Sequence, residues 1–113
     1  MHELSIALSI VEIVKDEASK HHVASVDEIE LDVGELSGID IQSLITSIQV
    51  ASSSTIAEKA KVVVNQINAI GKCNSCHYEF STRTVINRCG NCGSTSVLLL
   101  SGKEFKVKSI LIN

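Results

Sequence analysis

Four cysteines, set as two C-x-x-C knuckles with twelve residues between them, constrain this chain more than any other feature. The knuckles are Cys73-Asn74-Ser75-Cys76 and Cys89-Gly90-Asn91-Cys92. Two thiolates at that spacing lie on one tight turn and face one ion. Two such turns supply a closed tetrahedral S4 set, the usual structural zinc site. The stretch from Gly71 to Gly102 holds all four cysteines and four of the six glycines, with little apolar content outside Val97-Leu98-Leu99-Leu100. So small a stretch cannot fold by burial alone, so the metal is expected to supply its stability. A rubredoxin-like iron site uses the same four thiolates and is the rival reading. Cys73-x-x-Cys76-His77 also spells the c-type haem attachment motif, but haem attachment leaves Cys89 and Cys92 unexplained. Disulfides belong to oxidising compartments, and the chain shows no export signal. Gly93 follows the second knuckle and eases close backbone approach to the sulfurs; His77 stands at the matching place after the first, read as a surface residue rather than a further ligand.

The cysteine stretch interrupts an otherwise regular pattern. Residues 4 to 18 read as a helix, with Leu4, Ala7, Leu8, Val11, Val14 and Ala18 at i, i+3, i+4, i+7 spacing. Ile6, Ile10 and Ile13 form a second apolar row, expected to be further core. Lys20, His21 and His22 close the helix, where cations complement the C-terminal dipole. Residues 28 to 33 alternate, with Ile29, Leu31 and Val33 inward and Glu28, Glu30 and Asp32 outward, the pattern of a half-buried strand. Gly34 and Gly38 bracket a turn. Asp40 is placed to cap a second helix carrying Ile41, Leu44, Ile45 and Ile48 on one stripe. Residues 61 to 67 are rich in β-branched side chains and read as a strand. Glu104 to Ile112 returns to alternation and is too apolar to end free in water, so it is expected to rejoin the first sheet.

The expected fold is α+β: a small three-stranded sheet with two helices, plus a zinc-ribbon-like lobe inserted before the last strand. Residues 1–70 and 103–113 form the first domain and 71–102 the metal-binding lobe. Aliphatic residues must pack the core, because aromatics are only 3% of the chain. A net charge of −3 offers no basic face for nucleic acid. No apolar run approaches the ~20 residues a membrane span needs, and the acidic Glu3 and Glu12 interrupt any leader-like start. A cytoplasmic protein is expected.

Met1-His2-Glu3 is the second metal signal. A histidine beside a free α-amine chelates through the amine, the imidazole and a deprotonated amide, a nitrogen-rich set suited to Ni(II) or Cu(II). Catalysis is not expected. A closed S4 site has no open position for water, and neither Tyr78 nor the Ser52-Ser53-Ser54 tract offers a nucleophile with a base.

Taken in order, Met1-His2-Glu3, Val33-Gly34-Glu35-Leu36-Ser37-Gly38, the paired knuckles, and Ser101-Gly102-Lys103-Glu104 running into Lys108-Ser109-Ile110 resemble the HypA/HybF family of nickel-insertion accessory proteins. The resemblance covers the whole chain. It implies a metallochaperone that binds Ni(II) at Met1, His2 and Glu3, with His2 the essential ligand and Glu3 serving position more than coordination. It implies structural Zn(II) at Cys73, Cys76, Cys89 and Cys92. Nickel would pass to the large subunit of nickel–iron hydrogenase, or in some members to urease, with a HypB-type GTPase as partner; the second apolar row of the first helix and the edge strands leave a homodimer or domain exchange open. The chain departs from the family in its aliphatic second helix, its lack of proline and His77. The competing readings are a zinc-ribbon module that binds protein or nucleic acid, for which only Lys72, Arg83 and Arg88 supply positive charge in the lobe, and a small redox protein with iron at the thiolates.

Overall fold

The computed structural model describes residues 2–83 and 88–112. The chain runs α1 (His2–Lys20), β1 (Val26–Gly34), α2 (Ile41–Ala51), β2 (Lys61–Ile67), β3 (Ile70–Cys73), β4 (Glu79–Ser81), β5 (Val97–Ser101) and β6 (Phe105–Ile112). The α+β architecture read from the pattern is present: two helices, a three-stranded sheet of order β2-β1-β6, and a second three-stranded sheet, β4-β3-β5, carrying the cysteines. The last strand rejoins the first sheet as expected. The chain packs as two compact units.

The first unit holds the chain up to Leu31, Ile39–Asn65 and the chain from Lys106 onward. Its helix α1 carries no glycine or proline and buries Ala7, Ile10, Val11, Val14 and Ala18. The wide apolar arc allowed several rotations, and the one adopted leaves Leu4 and Leu8 at 47% and 52% exposure. Of the second row only Ile10 enters the core; Ile13 is 48% exposed. The helix ends where Ala18 carbonyl accepts the N–H groups of His21 and Val23, with His22 in the left-handed region at φ 53°. Asp40 caps α2 by accepting the Ser43 N–H at 3.0 Å. Leu44 and Ile48 on the stripe are fully buried and join Val26, Ile29 and Leu31 in the core, and α1 and α2 pack against each other.

Because β1 is the central strand, Glu30 reaches both neighbours. Its carboxylate accepts from Asn65 Nδ2 on β2 at 2.7 Å and from Ser109 Oγ on β6 at 2.9 Å, with Lys108 Nζ at 3.6 Å. Both Lys108 and Ser109 meet the same carboxylate and both are exposed. The alternation of β6 therefore changes phase there, from Phe105 and Val107 to Ile110 and Ile112 as the half-buried residues. Alternation fails at Asp32, expected to face outward, which is only 9% exposed.

The second unit holds Asp32–Gly38 and Gln66–Phe105. Strand β3 pairs antiparallel with β4 and β5. Gly71 lies opposite Phe80 on one side and Leu99 on the other, and a Cβ there would meet Val97 at 3.0 Å and the Phe80 ring at 3.2 Å. Tyr78 stacks on Phe80 with centroids 5.9 Å apart. In β5, Val97 and Leu99 are half-buried while Leu98 and Leu100 stay exposed. The segment after β1 is laced into this unit: Gly34 N–H donates to Glu104 O at 2.7 Å, Glu35 N–H to Ile67 O at 2.9 Å and Leu36 N–H to Gly102 O at 2.6 Å. The Glu35 carboxylate accepts the Ala69 N–H at 2.8 Å.

Candidate metal centre

The two knuckles fold alike because a C-x-x-C turn satisfies its own backbone and points its main-chain amides at sulfur. His77 N–H donates to Cys73 O, and Gly93 N–H to Cys89 O, each at 2.9 Å. The residue after each knuckle is left-handed: Gly93 at φ 78° and His77 at φ 65°. That is the conformation for which glycine is suited, and it is what the missing glycine at His77 signifies.

Inside the first turn, Cys73 Sγ accepts the N–H groups of Ser75 at 3.3 Å and Cys76 at 3.4 Å. Inside the second, Cys89 Sγ accepts the Asn91 N–H at 3.4 Å. Between the turns, Cys73 Sγ lies 3.5 Å from Cys92 Sγ and Cys76 Sγ lies 3.6 Å from Cys89 Sγ. All four ligand atoms lie within 4.8 Å of one another. The edge of an ideal zinc tetrathiolate, with Zn–S of about 2.3 Å, is about 3.8 Å. The sulfurs are far beyond the ~2.05 Å of a disulfide, and all four cysteines are free. Cys73 and Cys89 are buried, Cys76 is half-buried and Cys92 exposed.

The electrostatics are those of a cluster needing a cation. The N–H of Cys76, with that of Ser75, pulls the Cys73 thiol down to about 6 from its ordinary 9.0 against the effect of burial. The Asn91 side chain, then the Tyr78 N–H, lowers Cys76. Cys92, despite a main-chain N–H from Ser94, is pushed up to about 12 by the neighbouring Cys73 sulfur. Four thiolates this close cannot all ionise beside one another, whereas a bound dication deprotonates them together. The donor set, its spacing and its amide shell fit a tetrahedral soft-ligand metal.

The other candidate site is described in part. Met1 lies outside the described residues, as does the side chain of His2, which is the first residue of α1. Glu3 follows in the first turn, and its carboxylate accepts the Asp40 N–H at 3.4 Å. Its own main-chain N–H first, and then that of Asp40 among others, hold the Glu3 carboxyl below its ordinary 4.5. His21 Nε2 lies 3.8 Å from the Glu17 carboxylate. Among the described residues the four cysteines form the one group of three or more His, Cys, Asp or Glu side chains placed to hold a metal. Two residues escaped the sequence reading. Asn91 counted there only as a knuckle spacer, and Asp40 only as a helix cap. The signal for Asn91 was its place beside a ligand cysteine, but spacing alone does not say where a side-chain amide points.

The chain matches the family model described as hydrogenase/urease nickel incorporation, metallochaperone, HypA, over residues 1–112. It is 42% identical to a hydrogenase maturation factor HypA of Parabacteroides distasonis over 112 residues, covering 99% of this chain and 97% of that protein. A HypA of Chlorobium phaeobacteroides is 36% identical over 112 residues, 99% of each chain. Among solved structures, a HypA protein in solution superposes with a TM-score of 0.76 at 19% identity, covering 100% of this chain and 97% of that one. The nickel metallochaperone HypA from Helicobacter pylori does so at 0.67 and 19%, covering 97% and 96%. At that identity the two structures speak for the fold, and the match over residues 1–112 speaks for the family: this chain belongs to the HypA family, the nickel metallochaperones of hydrogenase maturation.

Proposed function

We propose that this protein carries Ni(II) at its N-terminus and helps insert it into nickel–iron hydrogenase. Met1, His2 and Glu3 are the cargo site, with His2 the indispensable ligand and the Met1 amine and neighbouring amides completing the set. Zn(II) occupies Cys73, Cys76, Cys89 and Cys92 as a structural ion, held in residues 71–102, while residues 1–70 and 103–113 carry the nickel. The observation behind this division is the closure of the sulfur cluster. Four thiolates within 4.8 Å of one another fill every position of a tetrahedral ion, so cargo that must be handed on belongs at another site. In a family of nickel carriers the remaining nitrogen-rich chelate is the terminus.

The chemistry suits delivery. Nickel bound by one imidazole and backbone nitrogens is released when the terminus moves or when its donors regain protons, so affinity falls with pH. The zinc, wrapped by amide donors, stays. The hydrogenase large subunit is the receiving partner and a HypB-type GTPase the helper, with urease as a second client. The protein works in the cytoplasm and performs no catalysis itself. No helix among the described residues is long and apolar enough to cross a membrane.

The test is a calorimetric Ni(II) titration of untagged protein with zinc measured on the same samples. Near-stoichiometric nickel is expected, lost in His2→Ala and in protein with an N-terminal tag left in place, with zinc unchanged in all three. Equal nickel binding by tagged and untagged protein would sink the terminal chelate and leave the interaction-module reading.

A further inference from the structure

Besides the sulfur pairs, three side-chain contacts tie the first knuckle to the second and to the segment that follows it. Asn74 Nδ2 donates to Ser96 Oγ at 3.1 Å. Ser75 Oγ and Ser94 Oγ lie 3.1 Å apart. Asn91 Nδ2 donates to Cys76 Sγ at 3.5 Å. Ser75 and Asn91 hold the same place in their turns, one residue before the second cysteine, and each gives its main-chain N–H to the first cysteine of its own knuckle. Their side chains then differ. The Ser75 hydroxyl ends on another hydroxyl, whereas the Asn91 amide ends on a ligand sulfur of the opposite knuckle.

We infer that Asn91 is a positioning residue for the metal: it clamps one sulfur from each knuckle, Cys89 through its backbone and Cys76 through its side chain, and so slows metal loss. Cys76 is one of the two less buried ligands, so water and competing ligands reach its sulfur more readily than those of Cys73 and Cys89. An N–H held against that sulfur draws off electron density, disfavours its protonation or capture by a competing ligand, and fixes its direction toward the ion. Groups in this outer layer change metal affinity by roughly 10–100-fold when removed. The side chain is exposed, so replacing it leaves the core packing intact. This inference rests on the reading that the four cysteines hold zinc.

The experiment uses the full-length zinc-loaded protein and its Co(II)-substituted form, with variants Asn91→Ala, Asn91→Asp and Ser75→Ala. Asn91→Asp keeps the shape and removes the N–H donor; Ser75→Ala removes a cross-tie that does not touch sulfur. Zinc transfer to a chromophoric chelator is expected to be roughly 10-fold faster in both Asn91 variants and unchanged in Ser75→Ala. The thiolate-to-cobalt charge-transfer band is expected to shift in the Asn91 variants alone. Wild-type exchange rates in both Asn91 variants, or equal acceleration in Ser75→Ala, overturn the assignment. Failure of the zinc reading shows separately, as wild-type protein that takes up no zinc at its cysteines.

Discussion

The carboxylate of Glu3, in the first turn of α1, accepts the main-chain N–H of Asp40, the residue that caps α2, at 3.4 Å. One link thus joins the residue beside His2 to the entry of the second helix. Glu3→Gln keeps an acceptor oxygen for Asp40 and loses the charge; Glu3→Ala loses both. If the role is positional, nickel binding should survive near wild-type strength in Glu3→Gln and weaken in Glu3→Ala. Calorimetric titration of the two variants decides, and equal loss in both would make the charge itself the ligand.

Gly34 has no room for a side chain. A Cβ there would lie 2.1 Å from the carbonyl oxygen of Gly102 and 2.6 Å from the Lys103 nitrogen, both main-chain atoms that no rotamer change can move aside. Gly34→Ala is expected to cost about 3 kcal/mol or more, the upper range for overpacking. A lowered urea midpoint with an unchanged slope reads this out. An unaltered midpoint contradicts the close approach.

Glu30 sets a pH dependence of known sign. The Asn65 side chain, then Ser109, holds its carboxyl below the ordinary 4.5. A carboxyl lowered in the folded state binds its proton more readily in the unfolded chain. Its stabilising contribution is therefore complete above pH 4.5 and fades as the pH falls through the depressed folded value. Thermal melts between pH 7 and pH 3 should show a steeper acid loss for wild type than for Glu30→Gln. Parallel curves would show that the contacts of Glu30 do not discriminate between its charged and neutral forms.

His77 is a stability defect at a position where glycine is suited. At φ 65° its Cβ is strained, and left-handed backbone costs an L-residue roughly 1–2 kcal/mol, partly offset by the entropy a glycine would lose on folding. His77→Gly is expected to stabilise by about 0.5–1 kcal/mol and to keep its full complement of zinc. Chemical unfolding and metal analysis test both halves; a drop in zinc would make His77 a ligand.

Much of this was legible in the residues. The helical spacing of α1, the Asp40 cap, the β-branched run of β2 and the return of β6 each came from patterns one element long. The knuckles did too, because metal coordination at C-x-x-C spacing is settled within a single turn. Three features were not legible. The face of α1 was ambiguous because Leu4 and Leu8 extend the same apolar arc as Val11, and only the packing of neighbouring elements selects which edge is covered. Alternation placed Asp32 on the outer face, yet it is buried. The Asn91 amide could point to solvent or to sulfur, and only the placement of the other knuckle chose.

The sequence by itself determined the family, the two helices and three strands of the first sheet, and the pairing of four cysteines in two knuckles, since each follows from short-range periodicity, residue chemistry or a motif read along the chain. Only the tertiary structure decided what lies beside what. It brought Gly34 under Gly102, Glu35 to the Ala69 amide, Glu3 to Asp40 and Asn91 to Cys76. These pairs are distant in the chain, and their meeting depends on the summed geometry of every strand and turn between them, which no local pattern encodes.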